Sequence, residues 1–284
     1  MLIFNSNTKL QLDNFLADPS HGLLIEGEMG AGKSTVADYI ASQLLRIGPD
    51  KLSEYPYFKR ITPIKNAISI EEIRLSKQFF GLRTLGHNPI RRVLIVEDAG
   101  RMTTEAQNAL LKFLEEPPAD TVIIFTSNPE SHLLPTIYSR MQRLTVLPPA
   151  KNALGELFDG QYTVGEIDKA YLISGGNLGL MNSILNNDER HPLVSSITLA
   201  KEIVSQSKFE RLARVDKLSK DRDQLPNLLL AMERLLSLAI RQSGISTEKT
   251  LAISAALSKV LSAREALART PNIKMLLTDL FLNI

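Results

Sequence analysis

One eight-residue run limits what this chain can become. Gly27-Glu28-Met29-Gly30-Ala31-Gly32-Lys33-Ser34 fits the pattern G-x-x-x-x-G-K-[ST] without deviation. It follows the short apolar run Leu23-Leu24-Ile25. It precedes a segment in which Val36, Ala37, Ile40, Ala41, Leu44 and Leu45 share one helical face. Strand, glycine loop and helix in that order make a phosphate-binding turn. The glycines let backbone N–H groups converge on phosphate oxygens with no Cβ in the way. The helix N-terminus adds the positive end of its dipole. Lys33 is expected to reach the β- and γ-phosphates, the Ser34 hydroxyl to hold Mg²⁺, and Thr35 to lie near the α-phosphate. The expected ligands are ATP and Mg²⁺, held by Gly27 through Thr35. Two plainer readings stand beside this one: a glycine turn that has lost its nucleotide, and a loop that binds without turnover.

Two further apolar runs, Val93–Val96 and Val122–Phe125, are too short for helices. Between them a helix fits Thr104 to Glu116, with Ala106, Ala109, Leu110, Phe113 and Leu114 inward, and Pro117-Pro118 ends it. Continuous apolar strands separated by helices indicate an α/β domain, a parallel sheet covered on both faces. Pro148-Pro149 reads as its boundary. A helical stretch from Ala153 to about Asn187 follows, broken by Gly175-Gly176-Asn177, and His191-Pro192 marks a second boundary. The remainder reads as all helix. Leu228, Leu229, Met232, Leu235 and Leu236 form one stripe, and Ile273, Leu276, Leu277, Leu280 and Phe281 form another. Such stripes pack helices together or line an oligomer interface. The expected domains are 1–148, 149–190 and 191–284, a number that suits a chain of 284 residues.

The chain lacks cysteine and carries four scattered histidines, so neither a disulfide nor a zinc site is expected. A net charge of +2 is too small to mark a strongly basic nucleic-acid binder. No apolar run is long enough to span a bilayer, and the first residues do not resemble a signal peptide. The expectation is a cytoplasmic protein with no membrane partner. His21, just before the first strand, is read as a surface or capping residue, with contact to a nucleotide base as the other option.

Glu97-Asp98 directly follow Val93–Val96. Carboxylates at that strand end hold Mg²⁺ and orient an attacking water in phosphate-loop enzymes. Glu97 is the candidate metal ligand and Asp98 the candidate water-orienting group. The usual order is Asp then Glu, so each side chain here has its reach changed by about one methylene. Errors of about 1 Å cost about 100-fold in rate. Binding without efficient hydrolysis is therefore expected.

From Val93 the chain reads VLIVEDAGRMTTEAQNALLKFLEEPPADTVIIFTSNPESHLLPTIYSRMQRL. This resembles the clamp-loader branch of AAA+ proteins. Asn108 through Pro117 looks like that family's signature helix. Leu134 through Arg140 is similar to its segment ending in Ser-Arg-Cys, with Met141 replacing the cysteine. The resemblance implies an AAA+ sheet domain, a small helical lid and an all-α collar. It implies that Arg140 acts in trans on the nucleotide of a neighbouring subunit, and that Ser127 contacts phosphate or water, with a turn role as its alternative. It implies a hetero-pentamer with other loader subunits that places a sliding clamp on primed DNA during replication. The lid stretch Gly176-Asn177-Leu178-Gly179 has glycine where motor subunits carry a sensor arginine. The zinc-binding cysteine module is absent, and the acidic pair is inverted. These departures resemble the delta-prime branch. A hydrolysing motor subunit, a nucleotide kinase and a scaffold with a vestigial loop are the competing readings.

Overall fold

The computed structural model describes residues 3–28, 30–65, 67–129, 131–158, 160–188, 192–222, 224–241, 246–267 and 272–284. The chain divides into two compact units, which meet in sequence at Pro149 and Ala150.

The first unit holds α1 (Ser6–Ala17), β1 (Gly22–Glu26), α2 (Lys33–Leu45), β2 (Phe58–Ile61), α3 (Ile70–Gly81), β3 (Arg92–Val96), α4 (Thr104–Glu115), β4 (Thr121–Ser127), α5 (Pro135–Tyr138) and β5 (Gln142–Thr145). The strands form one sheet in the order β2-β3-β4-β1-β5, and every pairing is parallel. β1, β3 and β4 are buried along their whole length. That burial explains their continuous apolar sequences, because helices cover both faces of such a sheet. Leu24, Leu94, Val96, Ile123 and Phe125 point to one face and pack with α3 and α4 residues such as Phe80 and Leu110. Leu23, Ile25, Val93, Ile95, Val122 and Ile124 point to the other and pack with Phe15, Val36, Ile40 and Leu44.

The edge strand β5 is closed by α1 side chains. Thr8 Oγ1 donates to the Thr145 carbonyl at 2.9 Å and accepts from the Leu147 N–H at 2.9 Å. Gln11 Oε1 accepts from the Thr145 N–H at 2.8 Å. These bonds occupy backbone groups that an open edge would offer to another chain. The chain leaves β1 for the far edge, returns strand by strand, and ends beside β1 on its other side. In open α/β sheets such a reversal sets the usual ligand position at the carboxyl ends of the strands beside it, here β1 and its neighbours.

The second unit is helical: α6 (Lys151–Phe158), α7 (Val164–Ser174), α8 (Leu178–Leu185), α9 (Pro192–Ser205), α10 (Lys208–Ala213), α11 (Val215–Leu218), α12 (Leu225–Arg241), α13 (Thr247–Leu267) and α14 (Ile273–Asn283). One apolar core joins Ile173 and Leu180 to Leu193, Leu228, Met232, Leu277 and Phe281. Both stripes seen in the sequence thus turn at least part of their width into this core. The expected boundary at 190–191 lies outside the described residues. Among the described residues, no helix is long and apolar enough to cross a membrane, and no cluster of His, Cys, Asp and Glu has the makings of a metal site.

Candidate nucleotide site

The glycine loop leaves the carboxyl end of β1 and enters α2. Gly27 donates its N–H to the Ser127 carbonyl at 3.3 Å, which ties the loop to β4. A Cβ at Gly27 would lie 3.0 Å from the Val146 carbonyl oxygen, so backbone crowding selects glycine there. Gly30 and Gly32 have φ of 78° and 85°, the left-handed region that suits glycine. Met29, just before Gly30, lies outside the described residues. Ala31 closes the turn by donating to the Glu28 carbonyl at 3.1 Å, and the Gly32 carbonyl accepts the first helical bond from Val36 at 2.9 Å. Ser34 and Thr35 are exposed in the first turn of α2.

Lys33 is the centre of this arrangement. Its ammonium donates to the Gly27 and Glu28 carbonyls and to Asn128 Oδ1, each at 2.8 Å. Burial lowers its pKa from the ordinary lysine value, while the carboxylates of Asp98 and Glu28 pull the other way. The lysine thus holds, in hydrogen bonds to uncharged oxygens, the place where phosphate oxygens would be stronger partners.

The two carboxylates after β3 diverge. Asp98 adopts a left-handed backbone, φ 50°, and receives Arg101 Nε on its carboxylate at 3.2 Å. Its N–H donates to Thr126 Oγ1 at 3.0 Å, and its charge is felt at Lys33. Glu97 instead accepts from Arg60 Nη1 at 2.5 Å. Arg60, on β2, also pairs with Asp38 on α2. Burial raises the Asp38 pKa, and Arg60 opposes the rise. The structure therefore groups Lys33, Asp98 and Asn128 on one side and Glu97, Arg60 and Asp38 on the other.

Ser127 is fully buried at the end of β4, and its hydroxyl donates to the Asn128 carbonyl at 3.2 Å. The side chain that meets Lys33 is its neighbour Asn128. Asn128, Arg60 and Asp38 are the site residues that sequence reasoning missed.

Arg140 lies at the opposite end of the sheet. Its carbonyl would be 3.2 Å from a Cβ on Gly22, the first residue of β1. A strand of that length spans about 15 Å, so Arg140 faces away from the loop of its own chain. Nη1 donates to the Thr136 carbonyl at 3.0 Å and to Ser139 Oγ at 3.1 Å, and Nη2 pairs with Glu115 Oε1 at 2.9 Å. Arg140, Ser139 and Glu115 line an open cleft of about 610 Å³, with His21 and Met141 on its wall. His21 is exposed at this end of β1.

A family model described as DNA polymerase III, delta subunit, matches residues 7–151. The chain belongs to that family. The match ends just past the first unit and includes the glycine loop, the acidic pair and Arg140. Relatives in the family include the DNA polymerase III subunit delta' of Pseudomonas aeruginosa, 34% identical over 157 residues, covering 49% of this chain and 47% of that one. The delta' subunit of Bacillus subtilis is 26% identical over 218 residues, covering 73% of this chain and 64% of the relative. The chain thus spans about half to two thirds of the length of these relatives. A gamma subunit-related protein of DNA polymerase III from Thermotoga maritima shares the fold, with a TM-score of 0.55, 22% identity and 98% of each chain covered. The fold is the α/β arrangement of AAA+ proteins with a helical C-terminal part, and the chain is similar to delta' subunits of DNA polymerase III. Gly179 takes its place in the first turn of α8, which Asn177 caps.

Proposed function

We propose that this chain is a nucleotide-holding, delta'-type subunit of a bacterial clamp loader. It binds ATP with Mg²⁺ at Gly27 through Thr35 and lends Arg140 to the nucleotide of an adjacent subunit. The observation that carries the reading is the placement of the two motifs at opposite ends of β1: a formed loop around Lys33 at one end, and Arg140 at the rim of a surface cleft at the other.

In cis, Lys33 exchanges its carbonyl partners for phosphate oxygens, the N–H groups at the start of α2 face the phosphates, and the Ser34 hydroxyl takes part in holding the metal. Mg²⁺, when bound, neutralises charge on the β- and γ-phosphates. Glu97 is the further metal-side candidate, and Arg60 competes for its carboxylate. Asp98 and Ser127 complete the proposed site, with Asn128 beside them. Because Glu97 is engaged and Asp98 is short, hydrolysis in cis is weak, and the nucleotide acts as an ordering ligand that stabilises the assembled form by mass action. The partners are the other loader subunits and, through them, the sliding clamp and primed DNA in the cytoplasm. The helices of 149–190 serve as a lid and those of 191–284 as a collar.

The purified chain is expected to bind ATP·Mg in an equilibrium titration and to turn it over negligibly when alone. Lys33→Ala should abolish the binding. A chain that fails to bind ATP is the scaffold alternative, and one that hydrolyses it rapidly by itself is the motor alternative.

A further inference from the structure

Three acceptors hold the Arg140 guanidinium in this chain. The Thr136 carbonyl and the Ser139 hydroxyl belong to its own turn. The third, the Glu115 carboxylate, comes from the last residue of α4 and lines the same cleft. An acidic group at a helix C-terminus meets the negative end of the dipole and weakens the helix. The stability of α4 therefore gives no account of a glutamate at this position.

We propose that Glu115 is a positioning residue for Arg140: it holds the guanidinium in the cleft as a stand-in anion, and the triphosphate of a neighbouring subunit displaces it. The inference rests on the reading of Arg140 as acting in trans. The side chains of Arg140 and Glu115 are 34% and 51% exposed, so water screens the pair and it is weak. A triphosphate carries more charge and offers a two-pronged face to the guanidinium, so it wins the exchange. By competing for Arg140, Glu115 raises the concentration of ATP that the adjacent site needs.

The experiment uses the assembled loader containing this chain and follows single-turnover ATP hydrolysis at the site facing Arg140. Glu115→Gln keeps the shape and removes the charge. It should lower the half-saturating ATP concentration by about two- to five-fold, the range for a half-exposed pair. The gain should shrink as salt is added and vanish in an Arg140→Ala background, and Glu115→Asp should return the wild-type value. A purely structural role would move none of these readouts in this pattern. An unchanged or raised ATP requirement in Glu115→Gln, or a gain that persists without Arg140, overturns the inference alone. Unaltered hydrolysis in Arg140→Ala overturns the in-trans reading beneath it as well.

Discussion

Lys33 shows how one partly buried cation sets the behaviour of a glycine loop. Burial holds its pKa below the ordinary lysine value in the free protein, and a bound triphosphate raises it again. The bound form therefore prefers the protonated lysine. ATP affinity should be constant at lower pH, then fall as pH rises through the lowered pKa of the free state, with a limiting slope near tenfold per pH unit. Titrations from pH 7 to the alkaline range check this, and an affinity that rises with pH in that window contradicts it. Arg60 makes a second prediction. Its removal leaves the carboxylates of Asp38 and Glu97 as neighbours without their shared cation. Arg60→Ala should cost about 1–2 kcal/mol in urea unfolding, a figure discounted because between 22% and 34% of each side chain reaches water. Neither Arg60 nor Asp38 was legible in the sequence, since the partners lie 22 and 37 residues apart and only the sheet order brings them together. The Lys33 loop was legible because its chemistry is written in eight consecutive residues. Asn128 was missed by one position. Ser127 still belongs to the buried strand, and only the next residue clears the carboxyl edge.

Among the elements, burial decided what could be read. β1, β3 and β4 are covered on both faces and appear as unbroken apolar runs. The edge strands Phe58-Lys59-Arg60-Ile61 and Gln142-Arg143-Leu144-Thr145 mix charge with apolar residues and gave no such signal. Helices α1 and α3 were likewise not assigned from the sequence. The helix expected from Thr104 to Glu116 is found one residue shorter, with Thr103 as its cap. Arg92, the first residue of β3, is buried, and its Nη1 donates to the Phe80 carbonyl at 2.8 Å near the end of α3. Such a cation satisfies helix-end carbonyls that would otherwise lie dry. At this scale the loop makes its own prediction. Gly27→Ala places a methyl 3.0 Å from the Val146 carbonyl oxygen, and backbone on both sides resists moving. The variant should lose about 1–3 kcal/mol of stability in a denaturant melt, and a melt unchanged from wild type would show that the loop has room to spare.

At the scale of the molecule, the Pro148-Pro149 boundary is where the chain changes from a parallel sheet to helices. The sequence marks that change because the period of its apolar residues changes there. The helical part is harder to divide, since Ile173 and Leu180 share one core with Leu193 and Phe281. The proposed division of labour needs the first unit to present two chemical ends. One end grips a triphosphate around Lys33, and the other offers Arg140 to a different nucleotide. The most direct measurement is single-turnover ATP hydrolysis by the loader assembled with an Arg140→Ala chain, at the site that Arg140 faces. The account predicts a loss of about a hundredfold at that site, while ATP binding by this chain's own Lys33 loop stays at its wild-type strength. Wild-type hydrolysis in that assembly, or loss of ATP binding at the Lys33 loop itself, would contradict it.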